Sequence, residues 1–97
     1  MTIISPNAGY DIIEAIAFYA KLDKNIGAKL RDAIQTSIDN LEIHSTMYPK
    51  VYKDFRRVLV KNFAYAIYYL IELNGDVIIK AVLSQKVSAK LIKQRLN

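Results

Sequence analysis

The hydrophobic positions change their spacing once along the chain. In the first half they recur every three or four residues, and from residue 51 onward they alternate or run together. The first spacing lines one face of a helix, and the second lines the faces of strands. Thr2-Ile3-Ile4 is β-prone and leads into Ser5-Pro6, a pair suited to cap a helix and to fill its first position, where a missing N–H costs nothing. From Ala8 to about Leu22, Ala8, Ile12, Ile16 and Tyr19 predict a helix, with Asp11 and Glu14 in the early turns where the macrodipole favours acids. After Asp23-Lys24-Asn25, a stripe of Ile26, Leu30, Ala33, Ile34, Ser37, Ile38 and Leu41 predicts a second helix to about Ile43. The short link makes the two an antiparallel hairpin.

His44-Ser45-Thr46-Met47-Tyr48-Pro49 is polar and turn-forming, and is expected to be the connection from helix to sheet. Val51 to Val60, Phe63 to Leu73 and Val77 to Leu83 then read as three strands. Asn74-Gly75-Asp76 supplies the positive φ that a tight hairpin between the last two requires. Phe63, Tyr65, Ile67, Tyr69, Ile71 and Leu73 share one face of the middle strand. Ala64, Ala66, Tyr68 and Leu70 make its other face apolar too, so this strand is expected at the centre of the sheet. Ser88 to Leu96 sets Leu91, Ile92 and Leu96 among Lys90, Lys93 and Arg95, a short basic amphipathic helix. The expected fold is α+β, in the order β-α-α-β-β-β with a short C-terminal helix. The helical hairpin packs on one face of a mainly antiparallel sheet, and residues 1–97 form a single domain.

Charge sharpens this picture when it is divided along the chain. Residues 1–49 hold four Lys or Arg against six Asp or Glu, a balance of −2. Residues 50–97 hold ten against three, a balance of +7. That asymmetry suits a polyanionic or acidic partner for the second half, or simply a Lys-rich solubilising surface. With 53% hydrophobic and 24% charged residues the chain is too apolar for disorder. No apolar run approaches the roughly 18–20 residues needed to span a bilayer, so no membrane association is expected. There is no cysteine, and the N-terminus lacks a basic start with a continuous apolar stretch, so a cytoplasmic location is expected. Nothing has the spacing of a zinc cluster or a phosphate-binding glycine loop, and neither metal nor cofactor is expected. His44, the only histidine, reads as a solvated loop residue. Tyr65 and Tyr69 read as core, whereas Tyr52 and Tyr68 are left open between core packing and stacking on bases.

Three stretches in this order carry a likeness: Ser5-Pro6-Asn7-Ala8 through Asp11 to Tyr19, Arg56-Arg57-Val58-Leu59-Val60-Lys61-Asn62-Phe63 through Tyr69, and the closing strand Val77 to Leu83. Together they resemble the RelE/ParE toxin superfamily, whose members pair with a small antitoxin as type II toxin–antitoxin systems, several of them as plasmid stabilisation proteins. The resemblance implies a cognate antitoxin, a toxin–antitoxin hetero-oligomer, growth inhibition, and either DNA gyrase or the ribosome with its mRNA as target. In the branch that cleaves ribosome-bound message, it implies that Arg56, Arg57 and Lys61 take part in catalysis by stabilising the charged phosphorane. Many relatives carry a histidine and an arginine after the last strand; here Ser84 and Val87 stand in those places, Lys86 is a weak replacement, and no residue supplies the tyrosine. These losses move weight to the branch that inhibits gyrase without catalysing a reaction, with Lys53, Lys86, Lys90, Lys93 and Arg95 as target-binding residues. A relative that keeps the fold and only binds a peptide or RNA is the third reading.

Overall fold

The elements begin and end at residues whose side chains satisfy the chain ends. The computed structural model describes all residues, 1–97, as β1 (Thr2–Ile4), α1 (Pro6–Leu22), α2 (Lys24–His44), a 3-10 turn (Ser45–Met47), β2 (Lys50–Tyr52), β3 (Phe55–Leu59), β4 (Tyr65–Ile71), β5 (Val77–Ser84) and α3 (Ala89–Leu96). Ser5 caps α1 by accepting from the Ala8 N–H at 3.2 Å, with Pro6 in the first turn. The link between α1 and α2 is a single residue. Asp23 donates its N–H to the Tyr19 carbonyl at the end of α1 and accepts from the Asn25 N–H at 2.8 Å to start α2. Gly27 faces Ala20 so closely that an added Cβ would lie 2.8 Å from the Ala20 Cβ, and the two helices can approach there only because the residue is glycine.

The five strands lie in the order β1-β5-β4-β3-β2, with β1 parallel to β5 and every other pair antiparallel. The α+β class and the central place of β4 are as the alternating pattern predicts. One detail differs: the segment read as a single strand from Val51 to Val60 is divided into β2 and β3. Lys53 turns the chain there with a φ of 51°, a left-handed conformation that no glycine or asparagine announces in the sequence. His44 is the last residue of α2 rather than part of the connection, and Leu73 leaves the strand for a fully exposed place in the turn.

Both faces of the sheet are covered, unequally. On one face α1 and α2 bury a 13-residue cluster that includes Leu30, Ile34, Leu41, Ile67, Tyr69 and Ile79. On the other, α3 closes a six-residue cluster of Phe55, Ala66, Tyr68, Ala81, Leu83 and Leu96. A register shift in β5 makes the division possible. Tyr68 opposes Ala81 and Tyr69 opposes Ile79, so Lys80 is an extra residue. The bulge sends Ile79 and Val82 to the hairpin side and Ala81 and Leu83 to the α3 side.

Candidate functional site

β1 pairs with only the first three residues of β5, from Val77 to Ile79, and the rest of β5 is left as an open edge. Asp11 of α1 closes part of it. Its Oδ2 accepts from the Val82 N–H at 3.0 Å, and its carboxylate takes a forked pair of hydrogen bonds from the Arg95 guanidinium at 3.0 and 2.7 Å. Both side chains are largely shielded, at 13% and 27% exposure, which makes this pair the best formed of the chain's ion pairs. The hydrogen bonds it donates to Asp11 hold the Arg95 guanidinium above its ordinary pKa. Asp11, placed by sequence reasoning in the favourable field of a helix start, thus acts instead as a clasp across the sheet edge.

Beside this clasp a groove of about 380 Å³ runs between α1 and the end of β5, with Glu14, Phe18, Tyr65 and Ser84 along it. Of the exposed apolar residues of α1, Phe18 lines this groove. Tyr10, Ile13 and Phe18 of α1 are 67%, 64% and 58% exposed, although they belong to a helix whose other face is core. Phe18 packs edge-on against Tyr19, which packs edge-on in turn against Tyr65 and Phe63. Burial and the neighbouring Tyr19 push the Tyr65 hydroxyl pKa up.

The cations singled out in the sequence are dispersed among several surfaces. Arg56 points to the hairpin side and donates to the carbonyls of Tyr48 at 2.6 Å and Thr46 at 3.2 Å, where it closes the 3-10 turn. Arg57, the next residue, points to the opposite face and lines a cleft beside α3 with Tyr52, Tyr68, Ile92 and Lys93. Lys61 lies past the end of β3 in another groove, together with Thr36 and Asn40 of α2. The three therefore do not converge on one point. Lys53 and Lys93 both approach the Tyr52 ring, at 5.2 and 5.9 Å from its centroid, and Lys53 also donates to the Asn97 Oδ1 at 2.9 Å. Lys86 and Lys90 are exposed at the start of the C-terminal segment, whereas Arg95 is engaged by Asp11.

Ser84 and Val87, which stand where many relatives carry ionisable groups, have local work. Ser84 Oγ accepts from the Lys86 N–H at 3.2 Å, and Val87 packs against the α3-side cluster. Sequence reasoning passed over Asp11 and Tyr52. A signal for Asp11 was present: it shares the helical face of Ala8, Ile12 and Ala15, an unusual place for a carboxylate. Tyr52 had none, because its setting depends on the unannounced turn at Lys53.

The family model described as ParE toxin of type II toxin-antitoxin system, parDE, matches residues 3–88. Among solved structures, the chromosomal ParDE TA system from P. aeruginosa contains a similar chain, with a TM-score of 0.76 at 11% identity over 86% of this chain and 92% of that one. At that identity the likeness is one of fold. No curated protein matches the sequence.

Proposed function

The chain belongs to the ParE toxin family and is the toxin component of a type II toxin–antitoxin system; from that premise we propose that it arrests growth by binding and inhibiting DNA gyrase, without catalysing a reaction of its own. The observation that carries this reading is the dispersal of Arg56, Arg57 and Lys61. Phosphoryl chemistry on RNA needs cations and an acid–base pair converging on one phosphate. Here Arg56 is used up on two backbone carbonyls, and Arg57 and Lys61 line separate grooves. A toxin that works by contact alone has no such requirement.

The antitoxin is a peptide segment that lies in the groove between α1 and the open edge of β5. Its apolar side chains cover Tyr10, Ile13 and Phe18, and its backbone meets the unpaired part of the edge. The size of the exposed stripe supports this placement, since a helix face with three large apolar residues in water favours a partner.

A supercoiling assay with purified gyrase tests the target. Added toxin is expected to stop supercoiling and to accumulate cleaved DNA held by gyrase. Unchanged supercoiling, together with cutting of ribosome-bound message in a reconstituted translation mixture, would replace this reading with the RNase one.

A further inference from the structure

Arg57 is the one arginine of the four whose guanidinium has no protein partner. Arg31 meets Asp32, Arg56 meets two carbonyls, and Arg95 meets Asp11. Arg57 is nonetheless half-buried, in the cleft of about 190 Å³ between β2, β3 and α3. No acidic side chain lines that cleft. A guanidinium in such a place has lost part of its hydration with nothing opposite to offset the loss. Lys93 also lines the cleft, and Lys53 stands beside it over the Tyr52 ring, where it donates to Asn97 Oδ1, so two cations line the opening and a third flanks it. Like charges gathered in this way repel unless an anion comes between them.

We propose that this cleft binds the phosphodiester backbone of a nucleic acid strand, with Arg57 forking one phosphate and Lys93 and Lys53 neutralising its neighbours. The planar fork of arginine matches two phosphate oxygens. An acidic peptide is the competing polyanion, but a peptide also needs apolar anchorage. The strongly exposed apolar side chains of α1, Tyr10, Ile13 and Phe18, do not line this cleft, where Arg57 and Lys93 offer charge instead. The proposal deepens the gyrase reading, since it gives the toxin its own hold on the DNA that gyrase cuts.

The test is fluorescence anisotropy of the whole chain with labelled oligonucleotides of equal length, as single-stranded DNA, duplex DNA and RNA. Binding is expected to weaken with salt, with a log–log slope of roughly −2 to −3 for three phosphate contacts. Arg57→Gln is expected to weaken binding about tenfold and to reduce the slope by about 0.7–0.9, and Lys93→Gln to weaken it about threefold. Lys29→Gln, on the exposed side of α2, is the control and is expected to change nothing. Thermal melts establish that each variant folds, and the exposed Lys93→Gln keeps the test valid if Arg57→Gln does not. The oligonucleotide bound tightest identifies the source of the phosphodiester. Failure to bind any of the three at low salt would overturn the proposal. So would full binding by the Arg57→Gln/Lys93→Gln double variant, or binding of a polyglutamate peptide with the same Arg57 dependence and greater affinity. Binding to DNA with gyrase unaffected leaves the cleft standing and removes the gyrase reading; gyrase inhibition without oligonucleotide binding does the reverse.

Discussion

Arg56 and Arg57 are adjacent in sequence, yet they belong to the two different faces of one sheet, and the faces treat them differently. On the hairpin side Arg56 meets two carbonyls and the buried Tyr69 hydroxyl donates to the Ser45 carbonyl. On the α3 side Arg57 is unpaired and Tyr52 is ringed by lysines. The hairpin face, with two long helices and 13 buried residues, holds the fold together. The α3 face has one short helix and six buried residues, and it keeps unspent polar groups for contact. The larger core is thus on one side of the sheet and the unpaired arginine on the other.

Truncation of the cores is the hardest test of that division. Leu30→Ala, at a fully buried position under the hairpin, is expected to cost about 3–5 kcal/mol and to unfold much of the chain, as read by urea denaturation. Leu96→Ala, at 4% exposure under α3, is expected to cost about 2 kcal/mol because the thin terminal helix can detach while the sheet survives. Equal losses from both would erase the distinction.

A smaller effect separates the faces by pH. Burial pushes the Tyr69 hydroxyl from its ordinary 10.0 to about 12. The folded state therefore keeps this proton after the unfolded state has lost it. The stability that results is complete below about pH 10 and falls as pH rises from 10 toward 12. Tyr69→Phe is expected to flatten this alkaline limb in melts taken across that range, at some loss near neutrality from the abandoned bond to Ser45. A limb unchanged in Tyr69→Phe would assign the alkaline loss to other groups.

The adjacent arginines give the finest comparison. Arg56→Ala removes the partner of two carbonyls and is expected to cost about 1–2 kcal/mol. Arg57→Ala, with no partner to lose, is expected to stay within about 0.5 kcal/mol of the parent. Chemical denaturation of the two variants side by side measures both, and a larger loss at Arg57 would contradict its assignment to the contact face.

Where the chain's own periodicity carried the information, the fold was legible. The cap at Ser5, the hairpin of helices, the Asn74-Gly75-Asp76 turn and the central β4 all follow from local residue chemistry. The division of 51–60 into two strands was not legible, because a lysine at positive φ is set by the surrounding pairing and not by its own preference. The bulge at Lys80 escaped for a similar reason: apolar residues flank the lysine on both sides from Val77 to Leu83, so no alternation marks where the register shifts. Of the site, the basic character of the second half could be read directly. Which cations are free could not, since pairs such as Arg95 with Asp11 join residues 84 positions apart.

That same pair, with the parallel contact of β1 on β5, has a consequence for synthesis. The strand made first has its only sheet neighbour in residues 77–79, and the carboxylate of Asp11 receives its guanidinium from the third-last residue. During synthesis, at about 5–20 residues per second, β1 and Asp11 therefore wait for residues 77–79 and for Arg95 to be made, and the contacts that close this edge of the sheet are among the late ones to form.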